Sequence, residues 1–172
     1  MFNISYSVVT GKTSSTTIAP NVTNAQWNFD GNGNDMYGVY NGVLQNGAQY
    51  SNTTYFGTGS SLQINGILNE SFTISLPFLN LSYTSFTIEA WIYASSLNGD
   101  NAIFTQCACS TCQDQCLYLL IRNFKLYMSF MMNDVIGLTT LTINTWYHVG
   151  FVYDYSSQTQ SVYLQGVLDN SK

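Results

Sequence analysis

The sequence predicts an all-β domain, a sandwich of two antiparallel sheets, and three observations carry that expectation. Short segments rich in Val, Ile, Thr, Tyr and Phe recur from Trp27 onward, separated by Gly, Asn and Asp at strand–turn–strand spacing. Within them apolar and polar residues alternate: in SFTIEAWIY, Phe86, Ile88, Ala90 and Ile92 share one face, and Thr87, Glu89, Trp91 and Tyr93 the other. No segment sustains a helical period. At 172 residues the chain is long enough for one domain with a sizeable core and too short for two plus a linker.

In chain order, residues 1–25 include the Ser/Thr-rich run TGKTSSTTIAPNVT and are expected to be a linker or stalk, with the domain at residues 26–172. Its GKT is not a phosphate loop, because the first glycine of that motif would fall on Tyr6. The expected strands are AQWNF, GVYNGVLQ, SSLQIN, SFTISLP, SFTIEAWIYA, NAIFTQC, CLYLLIRN, KLYMSFMM, DVIGLTTL, WYHVGFVYD and QSVYLQG. Turns are marked by Asn98-Gly99-Asp100, by Arg122-Asn123 and by the polar tip DYSSQTQ, while Pro77 with FLNLSYTS reads as a crossover.

Composition excludes several partners. A net charge of −5, with Lys12, Lys125, Lys172 and Arg122 as the only cations, cannot build a basic stripe against phosphates, so nucleic acid is excluded. The longest apolar run, CLYLLI, is strand-sized, so no membrane span is expected in this chain. Met1 is followed by neither a charged start nor a continuous apolar stretch, which reads as no signal peptide and an excerpted or displaced start. Five sequons, at Asn3, Asn21, Asn52, Asn69 and Asn80, join scarce lysine and clustered cysteine in pointing to an extracellular, secreted or cell-surface glycoprotein.

The four cysteines fall within QCACSTCQDQC. Cys107 ends one expected strand and Cys116 opens the next, so the two flank the base of a hairpin loop that holds Cys109 and Cys112. A nested pairing, 107–116 outside and 109–112 inside, is the most relaxed of the three connectivities. The spacing C-x-C-x2-C-x3-C also resembles an iron–sulfur run, one residue short and without its proline. A redox role for Cys109-Ser-Thr-Cys112 would want a βαβ setting that this sequence does not offer.

In DGNGND, Asp30, Asn32, Asn34 and Asp35 present hard oxygen ligands in a Gly-rich loop, which suits one structural Ca²⁺. The same residues favour a polar turn by backbone preference alone, and both readings stand. His148 is the single histidine; alternation places it with Trp146, opposite Val149 and Phe151, with no nucleophile pattern nearby, as a structural sheet residue.

WNFDGNGNDMYGVYNGVLQNGAQY, then GTGSSLQIN, SFTIEAWIYAS and NTWYHVGFVYDYSSQTQSVYLQGVL resemble, in order, the landmarks of laminin-G-like jelly-roll domains of the concanavalin-A-like superfamily, over roughly residues 27–168. The resemblance implies two curved antiparallel sheets in a secreted or surface protein used for binding. It also implies further strands after YLQGVL, so the chain is expected to lack its C-terminal strands and, with open edges, to aggregate when isolated. Calcium at a sheet rim is common in such domains, and the Asp30 loop is the matching candidate. The superfamily includes glycoside hydrolases with acids at alternate positions of one strand; here Glu89 is followed at the alternate position by Trp91. The expectation is therefore a non-enzymatic binding or adhesion module in a larger multidomain protein, recognising a glycan or an extracellular protein. A structural spacer and a jelly-roll glycoside hydrolase are the alternatives. The 13 tyrosines can serve as sugar-stacking platforms or simply as strand formers.

Overall fold

A computed structural model describes residues 2–11, 22–75, 77–109, 112 and 115–172. The strands are β1 (Phe2–Gly11), β2 (Val22–Trp27), β3 (Val43–Gln45), β4 (Gln49–Ser51), β5 (Ser61–Ile64), β6 (Ser71–Thr73) and β7 (Ser85–Ala94), followed by β8 (Asn101–Cys107), β9 (Cys116–Arg122), β10 (Lys125–Phe130), β11 (Asp134–Ile136), β12 (Trp146–Asp154), β13 (Thr159–Leu164) and β14 (Val167–Ser171). A 3₁₀ turn, Gly66–Leu68, is the only helical element among the described residues.

An eight-stranded sheet runs β14-β13-β12-β7-β1-β5-β4, with β2 pairing the part of β1 that β5 leaves free. A four-stranded sheet, β11-β10-β9-β8, lies across the core, and β3 and β6 form a short ribbon. Every pairing is antiparallel.

Alternation explains the layering. On β7, Phe86, Ile88, Ala90, Ile92 and Ala94 are buried, and Val149 and Phe151 on β12 fall on the same face. Leu117, Leu119 and Ile121 of β9, with Leu126 and Met128 of β10, close the core from the second sheet. Burying each such side chain contributes about 1.5–3 kcal/mol. The opposite face of β7 and β12, with Glu89, Trp91, Tyr93, Trp146 and His148, is left as the outer surface of the large sheet.

Residues 1–25 are not a tether where the structure describes them. β1 pairs with β7 along its whole length, setting Phe2, Ile4, Tyr6 and Val8 opposite Ala94, Ile92, Ala90 and Ile88, and β2 returns alongside it. The strict alternation of FNISYSV is a strand signal that the neighbouring Ser/Thr run hides; residues 12–21 of that run lie outside the described residues. GVYNGVLQ is a strand only over Val43–Gln45, because the chain before it wraps around Asp35 as a loop. Beyond the expected QSVYLQG strand, Gln165-Gly166 turns the chain into β14, which pairs with β13.

Candidate functional site

Outer-face residues of β7 and β12 form the floor of a cleft. The register sets Trp91 opposite His148 and Tyr93 opposite Trp146, so four flat rings share one patch of pleated surface. Their centroids lie 5.2 Å apart for Trp91 and His148 and 5.4 Å for Tyr93 and Trp146. The segment 52–60, between β4 and β5, brings Tyr55 and Phe56 over this floor. Tyr55 stacks on Trp91 at 3.6 Å and 17°, and its ring is edge-on to Trp146 at 6.3 Å. Phe56 meets Tyr55 edge-on at 5.1 Å and remains 75% exposed.

The far wall is the loop after β2. Phe29 takes a left-handed backbone (φ 59) that costs of order 1–3 kcal/mol and is held by burial of its ring edge-on to Phe72 at 5.0 Å. This bend presents Asp30 to the aromatic loop, where one carboxylate oxygen accepts the Ser60 N–H at 2.8 Å. Ser60 Oγ donates to Phe29 O (2.7 Å) and accepts from Gly31 N (2.9 Å). Gly59, at φ +75, must be glycine: a Cβ there would overlap the Asp30 carboxylate. Tyr55 and Phe56 therefore ride on a loop that is anchored at its far end.

Asn28, Asp30, Thr54, Tyr55, Trp91 and Trp146 are among the residues lining a cleft of about 410 Å³, within the range of small-molecule sites. Thr54 Oγ1 is buried there without a hydrogen-bond partner, a state that costs about 1–3 kcal/mol until a donor or acceptor arrives. Flat apolar rings bordered by neutral hydroxyl and amide groups can stack on a ring's C–H face and hydrogen-bond its substituents.

The residues expected from sequence are distributed differently. Asp30 and Asp35 diverge. Asp35 is 3% exposed, and its carboxylate accepts the backbone N–H groups of Gln26 (2.8 Å), Tyr40 (3.1 Å) and Val39 (3.2 Å). Burial alone would raise its pKa, but hydrogen bonds from Gln26, Tyr40, Tyr37 and Val39 outweigh it and hold the carboxyl below its ordinary value. Asn32 accepts from Asn34 N at 2.9 Å and closes a local turn. Asp30, Asn32, Asn34 and Asp35 do not fit a shared calcium, since Asp35 points into the protein with its oxygens taken. No cluster of three or more His, Cys, Asp or Glu suited to a metal occurs among the described residues.

Cys107 is bonded to Cys116 at the base of the β8–β9 hairpin, and Cys109 to Cys112 inside it, on the other sheet from the cleft. Glu89 is exposed on the outer face, and Glu70 is engaged elsewhere, accepting Asn65 N at 2.6 Å. Asn52, Asn69 and Asn80 are exposed in loops; Asn3 lies within β1, paired to Tyr93 and Gln63, and Asn21 is outside the described residues. Sequence reasoning missed Tyr55, Phe56, Trp146 and Asn28 as one site. TTYFGTG does carry a signal, two adjacent aromatics between polar and glycine residues.

Residues 68–172, more than half of the chain, match a laminin-G family model described as the concanavalin A-like lectin/glucanases superfamily. Among solved structures, the chain is similar to a provisionally assigned carbohydrate-binding protein from Bacteroides ovatus ATCC 8483, at 17% identity and a TM-score of 0.44. That similarity covers 67% of this chain and 38% of the other, so the chain spans well under half of that protein's length. No curated protein matches the chain.

Proposed function

The chain belongs to the laminin-G-type family of the concanavalin A-like lectin/glucanases superfamily, and on that premise we propose that it is a non-enzymatic carbohydrate-binding module whose site is the outer-face cleft. The observation that carries this reading is the juxtaposition of Tyr55, Phe56, Trp91 and Trp146 with Asn28, Thr54, Thr58 and Ser60 in one open cleft. Trp91 is covered by Tyr55, so it acts as a positioning residue that backs the loop; Phe56 and the free face of Tyr55 are the surfaces a sugar ring meets. The nested disulfides and exposed sequons support an extracellular setting, and adhesion within a larger multidomain protein is the role such a module would serve.

Binding is favoured over hydrolysis because, among the described residues, Asp30 is the one carboxylate that lines the cleft, and it already accepts the Ser60 N–H. Glycosidases need two carboxyls about 5–9.5 Å apart. On β7 the alternate neighbours of Glu89 are Thr87 and Trp91, and Gly150 faces it on β12. Asp154, beside Ser85 at the strand end, lies about 13 Å along the strands from Glu89.

A glycan array read by direct binding tests the proposal. The wild-type chain should retain a subset of oligosaccharides, and Tyr55→Ala with Phe56→Ala should weaken that binding about tenfold or more. Binding that survives the double substitution unchanged would place the site elsewhere.

A further inference from the structure

We propose that the cleft selects uncharged glycans and rejects sulfated and uronic-acid ones; this rests on the outer-face cleft being the carbohydrate site. The argument comes from where the charges lie. Among the described residues no lysine or arginine lines the cleft, whose polar groups are Asn28, Thr54, Thr58, Ser60, Ser61 and the Tyr55 hydroxyl, with Asp30 as its one carboxylate. Glu89, exposed two residues before Trp91 on the same face, adds a second negative charge.

Among the described residues the cations are remote. Arg122 and Lys125 face one another across the β9–β10 hairpin of the second sheet, and Arg122 is already committed to Asp100 by two 2.6 Å hydrogen bonds. Lys172 bonds through its backbone to Gln160, whose register partner Tyr153 pairs with Phe86, at the far end of β7 from Trp91. Lys12 lies outside the described residues. Phe86 and Trp91 are about 17 Å apart along the strand, beyond the screening length of roughly 10 Å at ordinary ionic strength. His148 packs against Trp91 and does not line the cleft.

A sulfate or carboxylate entering the cleft would therefore meet Asp30, with Glu89 on the neighbouring open face and no described guanidinium or ammonium to pair it, and would lose water without compensation. A neutral sugar has no such cost: its hydroxyls match the amide and hydroxyl groups, and its C–H face matches the rings.

The test compares β-1,4-mannan with β-1,4-mannuronate oligosaccharides, and β-1,4-glucan with β-1,4-glucuronan oligosaccharides, each pair of equal length, by calorimetry at pH 8 in low salt and in about 0.5 M NaCl. The neutral member of at least one pair should bind with little salt dependence. Its acidic counterpart should bind about tenfold more weakly in low salt, with the gap narrowing in high salt. Asp30→Asn keeps the oxygen that accepts Ser60 N–H while removing the charge, and Glu89→Gln does the same on the open face; each should narrow the neutral-to-acidic ratio. An acidic oligosaccharide that binds as tightly as its neutral partner in low salt, and is lost with the Tyr55 and Phe56 substitutions, overturns the selectivity and leaves the cleft intact. Neutral oligosaccharide binding that survives the Tyr55 and Phe56 substitutions unchanged overturns the cleft reading, and the selectivity falls with it.

Discussion

Trp27 and Trp91 lie on opposite faces of the large sheet, each in an aromatic group, and the two groups differ in whether their interactions are complete. The Trp27 group is closed. The rings of Trp27 and Phe29 both meet Phe72 edge-on, the indole N–H donates to Tyr40 O at 2.8 Å, and neighbouring Asp35 takes three backbone N–H groups. The Trp91 group is open, with Phe56 exposed, Tyr55 half-exposed and Thr54 Oγ1 unpaired at the cleft wall. The same ring types build a core in one place and a surface ready for a ligand in the other. What separates them is the fate of the polar groups alongside, as Asp30 and Asp35 show from a single loop.

The sharpest way to break the comparison is to remove Asp35. Asp35→Ala leaves three N–H groups of a tight loop without their charged acceptor, and a loss of about 3–5 kcal/mol is expected in urea denaturation. A change below about 1 kcal/mol would mean that the closed group does not depend on its carboxylate. The pH dependence follows from the same group. Because its folded pKa is depressed, Asp35 stabilises the fold above the unfolded carboxylate value of about 4, and that contribution is lost as pH falls through the lower folded value. The Ala variant should lack this part of the acid limb of the stability profile.

A smaller stability effect is expected on the open side. Trp91→Ala removes a half-buried ring that packs under a loop rather than in the core, so about 1 kcal/mol of stability should go, whereas affinity for a bound oligosaccharide should fall about tenfold as Tyr55 loses its backing. Equal damage to both properties would make Trp91 a core residue and erase the contrast with Trp27.

Much of the fold could be read from residues in advance, because β7, β8 and β12 carry their own alternation and β8 and β9 are flanked by cysteines that mark the hairpin. β1 was hidden by the Ser/Thr-rich run that follows it, although FNISYSV alternates as strictly as β7. The cleft was only half legible. Period two places Trp91 and Trp146 on the outer face, but nothing local to them says that the β4–β5 connection folds Tyr55 over Trp91, since that contact depends on β5 pairing with β1 and β1 with β7. Oxygen spacing in DGNGND was equally visible, whereas the direction each carboxylate takes is set by the backbone donors around it. Asp35 turns inward to Gln26 and Asp30 outward to Ser60, which spacing cannot express.

The three indole N–H groups give the most direct test of which aromatic surface meets ligand. In a nitrogen–proton correlation spectrum recorded while a binding oligosaccharide from the array is titrated in, the Trp91 and Trp146 indole signals should shift and the Trp27 signal, fixed on Tyr40 O inside the core, should stay in place. Saturable binding in which Trp91 and Trp146 stay still would contradict the account.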